Sequence, residues 1–436
     1  MRVEIDPSAA MFLHYPEDTS SDVVSVAVLE GDVEPDVVRT ALPLLQPAWP
    51  LLNVHPEKVG RRWWYTTDGT PGIDLELIDR EDDETWRRAA TEIVNRPATV
   101  GEGPLLRVAL VRRPGGTRVE LLVVMHHLIV DGVAPSVVIG ELLALIDGLA
   151  AGDDVAVPAP HPLGRPLNVL VQERFSRSAR ARALARYLAR SAGAQRQRTA
   201  RLRRCPPRDA DALSPMGSSG HGIRVLEPEV TSCLRTAARA QGTTLTGALY
   251  GAAALAMRDE RYGPSEPAFP MTSMVTINLR RYFDPPVPDD VLGVYVGSVL
   301  VRTPISTDSS VWDVARAWRS DLDAVMARQL HLAATPGQAR IAAHVLPRGI
   351  STTADIALSS TGTSDLPTGY RTFTCREFVG VLQAKMTAGD VMVSGGTLDG
   401  RFPITFDYST KFLSDAMATR IADRTAAMLE ECATAA

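Results

Sequence analysis

Two adjacent histidines close an apolar run, Leu121–Met125, and an aspartate and a glycine follow the second histidine at four and five positions: His126-His127-Leu128-Ile129-Val130-Asp131-Gly132. A neutral imidazole accepts a proton near physiological pH, so a histidine held at a strand end is a candidate general base. Asp131 either orients that imidazole or pairs with an arginine elsewhere and only fixes the loop. Gly132 permits a tight or positive-φ turn. Spacing alone leaves two other readings open. In one, a histidine caps a helix while its neighbour is a satisfied core residue. In the other, His127 and Asp131, four apart, bind a metal; no other histidine cluster supplies a third ligand, so no metal is expected.

Rigid elements must carry this loop. Alternating and apolar runs predict strands at 23–31, 61–67, 74–79, 105–113 and 118–127, the last two joined by the turn Pro114-Gly115-Gly116. Helical spacing predicts helices at 34–45, at 81–97 with a stop at Pro97, and at 136–152. Residues 1–150 then form an N-terminal lobe. The proline- and glycine-rich stretch 151–164 reads as a linker, and 165–436 as a C-terminal lobe that opens on a long arginine-dense helix, 166–204. Beyond it lie strands near 222–227, 270–278 and 292–303, then 353–360, 371–383, 390–398 and 403–408. The helices interleaved with them fall at 228–241, 244–258, 309–330 and 413–432. A chain of 436 residues exceeds the ~250–300 that one core usually supports, so two α/β lobes are the expectation.

Taken with the whole chain, HHLIVDG resembles the HHxxxDG motif of the condensation-domain and chloramphenicol-acetyltransferase-like superfamily of thioester-dependent acyltransferases. The segment 276–298 (TINLRRYFDPPVPDDVLGVYVGSV) is similar to the family's N/D-L-R core and its following strand. ALSSTGTSDLP at 357–367 is similar to its crossing strand, with Thr361 departing from the usual pattern. The ending from 394 to 431 resembles its last two strands and final helix. The likeness is greatest to freestanding polyketide-associated acyltransferases, and no adenylation or carrier domain is expected beside the chain.

The resemblance implies an α/β (α+β) fold of two similar lobes, each a mostly antiparallel sheet backed by helices, set in a V with an active-site tunnel between them. It implies that His127 is the catalytic base, that Asp131 is ion-paired with Arg280, that His126 is a supporting residue, and that Gly132 leaves room for the donor arm. The activity implied is transfer of an acyl group from coenzyme A or an acyl carrier protein to a hydroxyl or amine acceptor, by a monomer without a resident cofactor. His127 would deprotonate the acceptor as it attacks the thioester, and an oxyanion would form. Ser359, Ser360 and Thr361 are hydroxyl candidates for contacting that oxyanion or the tunnel.

A net charge of −5 and a pI near 6.0 give no overall sign of nucleic-acid binding. The N-terminus lacks a secretory layout, and the apolar runs are too short or broken to span a bilayer. Four cysteines without a CxxC pair argue against a zinc site or a disulfide framework, and together these features predict a cytoplasmic protein. The segment from Arg174 to Arg208 carries twelve arginines, both ends included, read either as a solvated helix face or as a surface for an anionic partner such as a carrier protein or coenzyme A. Trp63, Trp64 and Tyr65 read as packing residues, while Cys205, His14 and His344 have no partner that the sequence names.

Overall fold

Two sheets organise the chain in a computed structural model that describes residues 1–16, 19–31, 33–96, 100–263, 269–348, 354–385 and 389–434. The first sheet runs in the order Phe373–Leu382, Asp22–Gly31, Arg118–His126, Leu106–Arg112, Leu75–Asp79, and only its last pair is parallel. The second runs Val296–Ile305, Phe269–Asn278, Ile356–Thr363, Val391–Thr397, Phe402–Ser409, Ser219–Leu226, with Ile356–Thr363 parallel to both of its neighbours. A small third sheet joins Arg2–Glu4, Arg62–Thr66 and His55–Val59.

The first lobe packs helices Pro35–Ala48 and Ala134–Ala150 on one face of its sheet and Thr85–Asn95 on the other. The central strand Arg118–His126 is therefore apolar on both sides, which is why it reads as a continuous run rather than an alternation. The second sheet packs one face on helices Pro228–Ala240, Leu245–Met257, Val311–Ala327 and Asp415–Thr434, and helix Thr85–Asn95 of the first lobe covers part of the other face at Ile223. Its strands alternate accordingly: Val275, Val299, Leu358 and Val393 enter the core, while Thr276, Ser298, Ser359 and Ser394 point the other way, toward the first lobe.

Two expectations about the lobes change. The segment 357–367 does not cross over: its strand, Ile356–Thr363, is interior to the second sheet. The strand that crosses is Phe373–Leu382, whose residues pair with Val23–Gly31 of the first sheet. Part of 165–436 thus belongs to the first lobe's sheet, because the open edge of Asp22–Gly31 needs a hydrogen-bonding partner. The expected helix stop at Pro97 and the start of the expected strand at 353 lie outside the described residues. The arginine-dense segment is two helices, Leu167–Arg174 and Arg177–Arg204, divided where the Ser176 hydroxyl caps the second. Helices Pro7–Ala10 and Thr335–Val345 are additions to the sequence reading.

The long helix is also not simply a solvated face. Arg198 and Arg201 reach inward to Asp355, Arg198 also to Asp390, and Arg190 pairs with Asp321. These residues lie on one side of the helix. Arg182, Arg186, Arg196, Arg203 and Arg204 are exposed on another.

Candidate active site

The strand Arg118–His126 ends where the chain turns toward helix Ala134–Ala150, and the two histidines leave that corner in opposite directions. His126 is buried. Its Nδ1 accepts from the Leu128 N–H at 3.1 Å, and burial lowers its pKa to about 4. It supports the turn and borders a separate polar recess with Asp22 and Arg107.

His127 lies on the other side, between the lobes. Its Nδ1 is 2.7 Å from the Val130 carbonyl oxygen. A carbonyl only accepts, so Nδ1 carries the proton and Nε2 keeps its lone pair. The ring lies flat on Phe12, with centroids 4.2 Å apart and planes 9° from parallel. The His127 N–H also donates to the Ser21 carbonyl at 2.8 Å. Burial lowers the imidazole pKa and outweighs the opposing pull of the Val130 carbonyl, so the ring is neutral at neutral pH. The Tyr65 hydroxyl donates to the Leu128 carbonyl at 2.7 Å and props the turn from below.

Asp131 meets the first lobe and the second at once. Its Oδ2 accepts from Arg280 Nε at 3.1 Å, Arg280 Nη2 at 2.9 Å and the Tyr295 N–H at 3.1 Å. Its Oδ1 accepts from the N–H groups of Val133 and Ala134 at 3.1 and 3.3 Å, capping the helix that begins there. Both oxygens are engaged, which leaves the orientation of His127 to Val130. Arg280, 2% exposed, also donates to the Pro288 carbonyl and lies over the Tyr295 ring. Charge and donors are satisfied on both sides, as burial of an ion pair demands.

Gly132 has no positive φ, contrary to one expectation for it. What it supplies is space: a Cβ there would come within 3.7 Å of the Thr361 methyl, across the gap between the lobes. Thr361 itself sits at an irregularity between Ser360 and Gly362, where the ladder to Val391–Thr397 slips by one residue. Ser360 accepts from the Thr246 hydroxyl at 3.1 Å, and Ser359 stands opposite Ser394. All three hydroxyl residues border the same cavity as His127, Asp131 and Gly132.

Two cavities meet at His127. The first, about 210 Å³, is bordered by the three hydroxyl residues above, by Asn278, Ser394 and Thr405, and by the crossing strand. The second, about 370 Å³, opens on the far side between Phe12, helix Thr335–Val345 and the long helix at Tyr187–Ser191. His127, Thr276, Val296, Leu382 and Met392 border both. The sequence alone does not single out Phe12, Tyr65, Tyr295 or Ser394 for the site: Tyr65 reads there as a packing residue, and Tyr295 and Ser394 lie unmarked within the segments 276–298 and 394–431. An aromatic residue in the first fifteen positions was the one visible signal for Phe12. Among the described residues, no three metal-ligating side chains converge, and no helix is long and apolar enough to cross a membrane.

This architecture recurs in solved structures. Polyketide synthase associated protein 5 from Mycobacterium tuberculosis matches over 98% of this chain and 97% of its own, with 15% identity and a TM-score of 0.71. The first condensation domain of the CDA synthetase matches over 99% and 96%, with 16% identity and a TM-score of 0.70. The trichothecene 15-O-acetyltransferase of Fusarium sporotrichioides matches over 99% and 95%, with 11% identity and a TM-score of 0.71. The chain therefore shares the fold of these condensation-domain and acyltransferase structures. Within it, residues 221–362 match the C-terminal family of phthiocerol/phthiodiolone dimycocerosyl transferases. Among curated proteins, chondramide synthase of Chondromyces crocatus is 28% identical over 128 residues, and surfactin synthase subunit 2 of Bacillus subtilis 29% over 148. These matches take in 26% and 33% of this chain but only 3% and 4% of those proteins' lengths.

Proposed function

We propose that the protein transfers an acyl group from a thioester, carried by coenzyme A or an acyl carrier protein, to a hydroxyl of a small-molecule acceptor in natural-product or complex-lipid biosynthesis. The observation that carries this reading is the imidazole of His127 at the junction of two cavities, with Nδ1 tied to Val130 and Nε2 without a hydrogen-bond partner among the described residues.

A thioester is already activated, so no protein nucleophile is needed. Nε2 of His127 takes the proton of the acceptor hydroxyl as its oxygen attacks the thioester carbonyl. The tetrahedral oxyanion collapses with loss of the thiolate, which recovers the proton from the imidazolium. Ser359, Ser360, Thr361 and the Gly132 N–H border the cavity in which that oxyanion would form. Meeting both substrates at one imidazole converts a bimolecular encounter into a local step. Asp131 and Arg280 act by holding the turn, not by moving the proton.

Amide formation is the same chemistry with an amine. A catalytically silent docking role or a cyclisation are further alternatives, since a shared fold does not guarantee a shared reaction. Mass analysis of products from short-chain acyl thioesters, offered alcohols and amines in parallel, tests the reading. Ester products with released thiol support it. Amides alone would move the function to amide formation, and the absence of any product would favour docking or a repurposed fold.

A further inference from the structure

Helix Arg177–Arg204 turns some of its arginines into the second lobe and others out to solvent. Arg190, Arg198 and Arg201 meet Asp321, Asp390 and Asp355. Arg182, Arg186, Arg196, Arg203 and Arg204 are exposed, and among the described residues none of these five meets a carboxylate. At about 3.6 residues per turn they fall within an arc of about 100° and extend along about 33 Å of the helix. The helix contains no aspartate or glutamate, although the chain as a whole carries a net charge of −5. Positive charge is thus gathered on this face against the balance of the molecule.

Folding does not account for the gathering. The helix dipole favours cations in the last turn, here Arg203 and Arg204. Arg182, Arg186 and Arg196 lie outside that turn, and Arg182 and Arg186, four apart, repel one another. The residues between them on the same arc are small: Ala189, Gly193 and Ala200. The guanidinium groups therefore stand clear of the helix surface, where their forked N–H donors can meet phosphates. Leu188, 41% exposed, and the exposed Ala181, Ala185 and Ala192 border the arc on one side with apolar surface.

We propose that this face docks on a membrane surface bearing anionic lipids, and that the helix lies along the headgroups without inserting. Its inner side, with Ala183 and Ala194, stays packed in the protein. The inference stands apart from the acyltransferase reading. Length and chemistry both select lipid among polyanions. A row of about 33 Å is roughly twice an average helix of 11–12 residues, so an acidic partner helix would leave half of it unmatched. Bases need aromatic platforms, and the one aromatic of this helix, Tyr187, borders the inter-lobe cavity instead. A plane of headgroups matches both the row of charge and its apolar border. Each arginine brought to such a surface strengthens binding about fivefold.

Vesicle flotation with the full chain tests this without requiring turnover. The vesicles are phosphatidylcholine alone and phosphatidylcholine mixed equally with phosphatidylglycerol. One triple variant combines Arg182→Gln, Arg186→Gln and Arg196→Gln. A control triple, Arg61→Gln, Arg239→Gln and Arg424→Gln, removes the same charge from exposed sites elsewhere. Wild type is expected to float with the anionic vesicles and not with the neutral ones, and to be released at high salt. The helix triple is expected to bind at least about fiftyfold more weakly, and the control to stay within about threefold of wild type. The single variant Arg196→Gln, expected to bind about fivefold more weakly, serves if the helix triple does not fold. Equal loss in the two triples would reduce the effect to bulk charge and overturn the proposal. So would equal binding of wild type to both kinds of vesicle, or binding to neither. Capture of an acyl carrier protein or a duplex oligonucleotide through the three arginines, by a protein that ignores vesicles, would give the face to that partner and overturn it as well.

Discussion

Stacked on Phe12 and tethered through Nδ1 to a backbone carbonyl, His127 is held in one tautomer before any substrate arrives. Its base form is the neutral one, and burial moves the pKa below 6.5. Activity that depends on this base is therefore lost only as pH falls through that lowered value, and stays level from there through neutrality. A kcat/KM profile should show its acidic limb below pH 6.5, and Phe12→Ala, by admitting water to the ring, should move the limb upward. An acidic limb above pH 7 in wild type would contradict this. Asp131 and Arg280 make a different prediction, because each leaves the other as a buried charge when removed. Arg280→Met should cost about 3–5 kcal/mol in unfolding free energy, and adding Asp131→Leu should recover much of that loss. Denaturant melts of the three variants measure it; a double variant less stable than the single would contradict it. At this scale the sequence was informative where chemistry is concentrated in a short motif, as in 126–132, and in the pairing of Asp131 with Arg280. It did not single out Phe12 or Ser394 and gave Tyr65 only as a packing residue, because these three reach the site through the folding together of distant segments.

Elements divide into those that build lobes and those that join them. Most strands and helices were legible because their periods, 2 for half-covered strands and 3.6 for helices, survive in the residue pattern. The identity of the crossing strand was not, because 357–367 and Phe373–Leu382 are both β-forming and only tertiary context decides which edge each pairs with. Nor does the arginine-dense helix declare its inner face: composition counts arginines, whereas Asp355 and Asp390, which receive two of them, lie more than 150 residues away. This division predicts two outcomes for similar substitutions on one helix. Arg201→Ala strips a partner from buried Asp355 and should cost about 3–5 kcal/mol, while Arg186→Ala on the exposed side should stay within about 0.5 kcal/mol. Equal losses in thermal melts would show that the helix is not anchored through that face.

Across the whole molecule, the site exists only where the lobes meet. The imidazole and Asp131 come from the first, Arg280 and the hydroxyls of Ser359, Ser360 and Thr361 from the second, and the crossing strand ties the two by main-chain pairing. Leu382 extends this tie by donating its N–H to buried Asp407 of the second sheet at 3.2 Å, and Asn95 exchanges two hydrogen bonds with the Ser219 backbone. Such joints fix the distance between a base on one lobe and substrates lying on the other, which is the geometric requirement of the proposed transfer. The measurement that tests it most directly is single-turnover thiol release from an acyl thioester with a competent acceptor, comparing wild type with His127→Ala. The expected result is a folded variant that still binds the thioester but releases thiol about 10²–10⁴-fold more slowly. A folded His127→Ala protein that turns over at the wild-type rate would contradict the assignment of His127 as the base.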